Sequence, residues 1–506
     1  MATKAQLQRE AASCGVFDAV REFLAHCRQP VLIEAGEQPI PLAEGRYDLE
    51  PRGQGCVLHV WGEEGNLVRR IIAIKSEKQD RIEMLATSFG RRDIRLAIVD
   101  EAHKTGRVQR EAGHARFREF LRRILFREYR DWTLSHFTSA PDLEHTLSPS
   151  YARGALSLGR EVWAVIGVPA DLSAAATEQI LSFGLIWFDY LRSREQDRVL
   201  AGLRLFVPKG RSRSTANRLS WLNSHVLRSE LIEYDAAGNL HRCDEQDYGN
   251  LATELRPCLP EAIPEEPVAG WMRKLRLVPG VEEVQRPDGL LSVRVRGIPF
   301  AAAGRGVLTY GLDTQTPVGT HGIELVIRLA SELSRFRSPE AEDVQNPLYR
   351  RHPETWLESQ VRRGLDLIDG DLLARPLYGQ VPTVAGPDRG IIDLLACDRQ
   401  GRLAVIELKA SEDIHLPLQA LDYWMRVKWH LDRGEFPARG YFPDVVLAER
   451  TPRLILVSPA MDFHPTTETI LRYLSPAIEV QRIGVGMDWR REVSVAFRKR
   501  GPGRLA

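Results

Sequence analysis

Asp393 follows Gly390-Ile391-Ile392 and precedes Leu394-Leu395-Ala396, and Glu407 follows Ala404-Val405-Ile406. A carboxylate inside so apolar a run is costly unless it is paired or holds a metal. Between the two runs stands Asp398-Arg399-Gln400-Gly401, a turn signal that makes them the arms of a β-hairpin. With the tip near Gln400, Asp393 comes opposite Glu407. Lys409 lies two residues past Glu407 and shares its face of the strand. Two carboxylates and an ammonium then converge at one spot. Two carboxylate oxygens and a backbone carbonyl suit Mg2+ or Mn2+, hard ions that take oxygen ligands. A lysine beside such an ion can orient a water, hold negative charge or help take a proton. Hydrolysis of a phosphodiester needs these parts, because charge builds on the phosphate oxygens as water attacks.

The elements that must position these residues lie on either side. Upstream, Pro353 opens the helix PETWLESQVRRGLDLI, with proline in its first turn. Glu354 and Glu358 are four apart and share a face of it. Downstream, an amphipathic, aromatic-rich helix carries Gln419 and Tyr423 one turn apart. The ordered set of helix glutamate, hairpin aspartate, Glu407-Leu408-Lys409 and a following helix resembles the PD-(D/E)xK nuclease superfamily. Gln419-Ala420-Leu421-Asp422-Tyr423 fits the QxxxY motif of its RecB-like members. The order is also similar to the nuclease domain of NucS-like endonucleases. The resemblance covers residues 346–506.

That resemblance implies roles. Asp393 and Glu407 would ligate Mg2+ or Mn2+ together with the Leu408 carbonyl. Glu358 would complete the shell directly or through water, with Glu354 as the substitute one turn away. Lys409 would position the attacking water. Gln419 and Tyr423 would contact the scissile phosphate or orient the lysine, although Tyr423 also suits plain core packing. The implied activity is a metal-dependent nuclease, a hydrolase acting on DNA in repair or in defence against foreign DNA, with RNA left open. A helicase and a second copy of the chain are the implied partners. The contrasting expectation is a catalytically inactive nucleic-acid-binding or scaffold protein that works with a partner helicase or nuclease. In that case Lys409 would only bridge Asp393 or Glu407.

Other signals are weaker. His352, His415 and His430 lie nearby, but no two have metal-ligand spacing, so they are expected at the surface or behind the site. Asp100-Glu101-Ala102-His103 spells a helicase-like DEAH. ATP chemistry also needs a phosphate loop, and the dipeptide Gly-Lys occurs nowhere in the chain. The net charge is +1, so any phosphate contact has to come from local patches. Arg116, Arg123 and Arg127 lie along one helix, Arg211 and Arg213 in the loop 209–218, and Arg498, Lys499 and Arg500 in the tail. Such contacts position a nucleic acid without reading its sequence.

Across the 506 residues, 43% are hydrophobic and 27% charged, which excludes a largely disordered chain. No run approaches the roughly 20 apolar residues of a membrane helix. The N-terminus has no apolar core for a signal peptide. Cys14, Cys27, Cys56, Cys243, Cys258 and Cys397 are scattered without a CxxC pair. A cytoplasmic protein with free thiols is expected. Residues 256–268 hold Pro257, Pro260, Pro264 and Pro267 and read as a linker.

Residues 163–192 align without a gap on 403–432, with Ala164-Val165-Ile166 on Ala404-Val405-Ile406 and Gln179 on Gln419. The segment LRLFVP is also similar to LILVSP further on. A duplication is predicted. In this alignment Gly167 and Pro169 replace Glu407 and Lys409, Phe183 replaces Tyr423, and Ser157 falls near Asp393. The first copy then lacks metal ligands. The expected fold class is α/β. A C-terminal restriction-endonuclease-like domain, a mixed sheet flanked by helices, fills 346–506. A strand-rich region at 269–345 and the linker 256–268 precede it. The N-terminal half, 1–255, carries a degenerate copy of the same fold from about 100 onwards.

Overall fold

The computed structural model describes residues 16–501 apart from 35–39, 43–46, 53–54, 63–64, 79–80, 89–90, 101–105, 143, 245–250, 252, 320–321, 345 and 386–387. Two compact units divide the chain, Met1–Arg116 and Phe117–Ala506. The main boundary is therefore not the proline-rich stretch, which runs without regular structure inside the second unit.

The first unit pairs helix α1 (16–26) with seven antiparallel strands: β1 (Pro30–Glu34), β2 (Ile40–Pro41), β3 (Tyr47–Arg52), β4 (Gly55–Gly62), β5 (Gly65–Lys78), β6 (Arg81–Ser88) and β7 (Arg91–Asp100). Their order is 2-1-7-6-5-4-3. Alternate residues such as Cys56, Leu58 and Val60 face one core with Val20, Phe23 and Leu24 of α1. Asp100, the first letter of the DEAH string, is a structural acceptor. Its carboxylate takes the N–H groups of Arg28 and Gln29 at 3.2 and 2.9 Å. The other three letters lie outside the described residues.

The second unit contains three sheets. The first follows α2 (Gly106–Glu128) and has strands β8 (Thr133–Thr138), β9 (Ala152–Leu158), β10 (Glu161–Gly167), β11 (Val199–Pro208), β12 (Arg228–Tyr234) and β13 (Leu240–Arg242). Helices α3 (Ala174–Glu178) and α4 (Ile180–Arg194) connect β10 to β11, and α5 (Arg213–Leu219) connects β11 to β12. After β14 (Glu254–Leu255) comes a small antiparallel sheet of β15 (Val281–Gln285), β16 (Leu291–Val295), β17 (Ile298–Ala303), β18 (Leu308–Tyr310) and β19 (Thr316–Pro317). Helices α6 (Val268–Leu275) and α7 (Ile323–Phe336) cover its apolar face.

The last part runs through α8 (Pro347–Arg350), α9 (Pro353–Arg363) and α10 (Leu365–Ile368) into β20 (Tyr378–Ala385), β21 (Asp388–Cys397) and β22 (Leu403–Leu408). Then follow α11 (Leu416–Asp432), α12 (Glu435–Ala438), β23 (Arg453–Pro459), α13 (Thr466–Arg472), β24 (Glu479–Val485) and β25 (Val495–Arg500). The predicted hairpin is present, with Leu394 paired to Ile406.

The first and last sheets share one topology. Strands β8 to β13 and β20 to β25 each lie in sequence order, paired antiparallel, antiparallel, parallel, parallel and antiparallel. Helices α4 and α11 fill the same crossover, as do α5 and α13. The two sheets also bury a single core between them, to which α4 contributes Leu185 and Phe188 and α11 contributes Leu418 and Leu421.

The contacts between the two halves are reciprocal. Leu222, just after α5, pairs with Leu474, just after α13. Asn223 N–H donates to the Tyr473 carbonyl and Ser475 N–H to the Trp221 carbonyl, each at 2.8 Å. Arg218 of α5 grips Asp422 of α11 at 2.6 Å, and Arg472 of α13 reaches Asp189 of α4 at 3.2 Å. Contacts of i with j and j with i are the signature of a two-fold interface.

One part of the sequence alignment is off by a residue. Ala164, Ile166 and Val168 face the core shared with α4, whereas Ala404, Ile406 and Leu408 face the opposite side, against Trp356 and Leu357 of α9. The ungapped match thus inverts the strand. A shift of one residue sends every side chain to the other face, and a strand apolar on both faces has no alternation to reveal it. Gly167 is not the counterpart of Glu407; a Cβ there would meet Leu121 and Phe117 of α2. The face that carries Leu403, Val405 and Glu407 in the last sheet carries Ala164, Ile166 and Val168 in the first. Across from Ile166 stands Arg153, not Ser157.

Candidate active site

The hairpin register Leu394–Ile406, continued by one step, sets Asp393 beside Glu407. The ladder stops there, and the Leu408 N–H donates at 2.9 Å to Asp393 Oδ2 instead of to a carbonyl. Glu407 is 4% exposed and its Oε2 is buried with no hydrogen-bond partner. Burial raises the pKa of both groups, and their mutual repulsion adds to this for Glu407. Asp393 is pushed up to about 7, and Glu407 is driven well above the carboxylate range, first by burial and then by the charge of Asp393.

Lys409 joins this pair from the end of β22. Burial works against its charge, but Asp413 and Glu407 outweigh that and raise its pKa. Its Nζ lies 3.3 Å from Asp413 Oδ2. Asp413 in turn accepts the His415 N–H at 2.7 Å. Asp413 was not among the residues the sequence singled out. Its only signal is a carboxylate four positions past Lys409 in the loop before α11.

Both helix glutamates come to this spot, in different ways. Glu354 adds to the field that keeps Lys409 charged. Glu358 lies deep beside Asp393 and its charge helps raise the Asp393 pKa. It is also held by two cations, Arg362 one turn on at 2.8 Å and Arg294 of β16 at 3.3 Å. Arg294 was not foreseen. It sits in the alternating run Leu291-Ser292-Val293-Arg294-Val295, where a charge on a buried strand was the available signal. Gly379 of β20 belongs to the same arrangement. A Cβ there would fall 1.6 Å from an Arg362 nitrogen and 2.9 Å from Glu358 Oε1, so only glycine lets the pair lie across the strand.

Tyr423 of α11 has its phenol raised first by burial and then by the charges of Glu407 and Asp393, which places it at the site. Gln419 sits one turn earlier on that helix, partly buried. The three histidines serve elsewhere. His352 precedes α9, His415 Nδ1 meets Ser182 Oγ at 2.9 Å, and His430 is buried between Glu435 and Thr253.

Among the described residues, no group of three His, Cys, Asp or Glu side chains is arranged to hold a metal. Both arginines lie on the same oxygen of Glu358, Oε1. The donor set nevertheless fits a divalent ion. Glu407 Oε2 is a buried carboxylate oxygen without a hydrogen-bond partner and Asp393 is a second carboxylate beside it, the kind of hard oxygen donors that Mg2+ or Mn2+ takes.

The expected phosphate contacts are divided. Arg116, Arg123 and Arg127 are exposed on α2, while Phe117, Leu121, Ile124 and Leu125 turn inward. Arg127 also donates to the Gly238 carbonyl. Arg211 donates to the Leu172 carbonyl at 2.6 Å, and Arg213 is exposed at the start of α5. Arg498 binds the carbonyls of Leu367 and Ile368, and Lys499 pairs with Glu468 at 3.0 Å. Arg500 lines a cleft of about 370 Å3 with Arg399, Arg450 and Glu479. The tail residues thus anchor β25 as much as they extend a basic surface.

No disulfide joins the described cysteines, and no described helix is long and apolar enough to cross a membrane. No family model, curated protein or solved structure matches the chain.

Proposed function

We propose that residues 346–506 are a PD-(D/E)xK-type nuclease domain that hydrolyses phosphodiester bonds of DNA with Mg2+ or Mn2+. The segment from Phe117 to about residue 255 is read as its degenerate copy. The observation that carries this reading is the Asp393–Glu407 pair, a buried carboxylate with an orphaned oxygen beside a half-buried one, and a lysine on the same strand face. A purely structural salt bridge would pair the charges directly; here the close ion pair of Lys409 is with Asp413, while Asp393 takes the Leu408 N–H and Glu407 Oε2 has no hydrogen-bond partner.

In this reading Asp393, Glu407 and the Leu408 carbonyl would hold the ion, which when bound would supply Lewis-acid polarisation of the phosphate and a more acidic water. Leu408 N–H fixes the orientation of Asp393. Lys409, kept protonated and aimed by Asp413, holds the attacking water and meets the charge that develops on the phosphate oxygens. Tyr423 and Gln419 close the site from α11. Glu358 with its two arginines ties the helix to β16 and to the chain entering β20. In the overall step a water oxygen bonds to phosphorus, one ester P–O bond breaks, and the water protons end on the leaving oxygen and in solvent.

The test is cleavage of linear, nicked, branched and single-stranded DNA, with RNA alongside, in Mg2+ and Mn2+. Wild type is run beside Asp393→Ala and Lys409→Ala. Cleavage that vanishes in both variants supports the nuclease. Binding without cleavage, equal in all three proteins, puts a nucleic-acid-binding scaffold in its place.

A further inference from the structure

The first sheet repeats the strand order, directions and connecting helices of the last, and the two halves meet through reciprocal contacts centred on Leu222 and Leu474. A chain built this way carries its own two-fold partner. Such a frame suits a duplex, whose strands are themselves related by two-fold symmetry, and a symmetric frame would set one reacting centre on each strand. Here the two centres are chemically unlike.

In the last sheet the slots facing α11 hold Glu407, with Asp393 opposite. In the first sheet the slots facing α4 hold Ala164, Ile166 and Val168, with Arg153 opposite Ile166. Arg153 is 3% exposed. It donates to the carbonyls of Ala140 at 2.6 Å and Ser148 at 3.4 Å and lies over the Trp187 ring. A guanidinium fixed by backbone carbonyls, among aliphatic side chains, offers no ligand to a cation and repels one. The one carboxylate on β9 and β10, Glu161, lies at the far end of β10 and accepts from Trp163 Nε1 at 2.8 Å, and Asp142 lies in the field of Arg153.

We infer that one chain cuts one strand of a duplex, so that its product from double-stranded DNA is a nick. The inference rests on the nuclease reading above and concerns what that single site does. In each event one ester P–O bond of one strand is exchanged for a bond from a water oxygen to phosphorus. The leaving oxygen takes a proton, and the opposite strand keeps all its bonds. A double-strand break then requires two independent events.

The experiment uses the full chain and a covalently closed supercoiled plasmid in Mg2+ or Mn2+, with enzyme from below to above the plasmid concentration. Asp393→Ala and Lys409→Ala serve as controls. A linear duplex labelled on either strand is run in parallel. The expected result is complete conversion to nicked circle, with linear plasmid appearing only after a lag, and loss of nicking in both variants. Linear plasmid at the earliest times, with both variants inactive, overturns the one-strand inference and leaves the nuclease standing. Cleavage of single strands alone does the same. No conversion of any DNA overturns both readings together.

Discussion

Asp393 and Glu407 occupy one buried spot, and whether both can ionise depends on what cation is beside them. Folding lifts Asp393 from about 3.9 in an unfolded chain to about 7, chiefly by burial. The folded state therefore binds protons that the unfolded state releases. The stability this lends is fully present below about pH 4 and is lost as pH rises through neutrality. Asp393→Asn keeps an acceptor for the Leu408 N–H and removes the ionisation. We expect it to stabilise the metal-free protein at pH 8 by about 1–3 kcal/mol, the usual penalty of an uncompensated buried polar group, while abolishing cleavage. Scanning fluorimetry of both proteins at pH 6 and pH 8 checks the sign. A cation that binds the ionised pair stabilises more at pH 8 than at pH 6, by about 2.7 kcal/mol at a hundred times its Kd. A wild-type melting temperature indifferent to Mn2+ at both pH values would sink the metal assignment. At this scale much was legible. Asp393, Glu407 and Lys409 betray themselves by charge inside apolar runs. Arg362 and Asp413 lie four residues from Glu358 and Lys409, a spacing shared by many ordinary surface pairs, and Arg294 shows only a charge on a buried strand, with its partner on a distant helix.

Elements set how far such a pair is buried, and two arginines tie α9 to its neighbours. Arg337, at the end of α7, is fully buried and donates to the carbonyls of Arg296, Leu348, Tyr349, Arg351 and His352. It thereby fixes the chain that leads into α9, with its guanidinium over Trp356. Arg337→Met leaves several buried carbonyls unpaired at roughly 1 kcal/mol or more each, so a loss of about 3–5 kcal/mol is expected in urea unfolding. Arg337→Lys should not rescue it, since an ammonium lacks the planar fork that spans separate carbonyls. Arg294 is the second tie, from β16 to Glu358. Arg294→Met removes a positive charge that offsets Glu358, whose own charge raises the Asp393 pKa. Carboxylate protonation becomes easier, and the acid limb of the pH–rate profile should move up by about one unit. An unchanged limb would show that Arg294 serves packing alone. The type of each of these elements could be read from hydrophobic period and turn residues. Their faces could not. The strand at Ala404-Val405-Ile406 is buried on both sides, so the alignment slipped by a residue and named Gly167 for a place on the other face.

At the scale of the whole molecule, the strand order repeated in the first and last sheets comes with a shared core, and the chain divides into its two units elsewhere than at the proline-rich stretch. Prolines at 257, 260, 264 and 267 mark a break in regular structure, yet nothing local tells that α4 and α11 pack into one interior across it. The cut falls instead at residue 116. The reciprocal ion pairs of this interface are unequal. Arg218 is nearly buried against Asp422, whereas Arg472 and Asp189 are both about one-fifth exposed. Asp422→Ala strands a buried guanidinium and should cost about 3–5 kcal/mol, while Asp189→Ala loses a more exposed arginine but also the acceptor of the buried Tyr473 hydroxyl at 2.6 Å, and should cost about 1–3 kcal/mol. Because each half covers the other's apolar face, neither should fold alone. Residues 117–255 expressed without 256–506 would expose Leu185 and Phe188 of α4 and aggregate. Expressed together as separate chains, the two should assemble through Leu222 and Leu474 into a complex of one copy each, read by size-exclusion chromatography and native mass spectrometry. A soluble, cooperatively melting fragment 117–255 would show instead that the halves are independent domains, and the two-fold frame would then be a contact rather than a core.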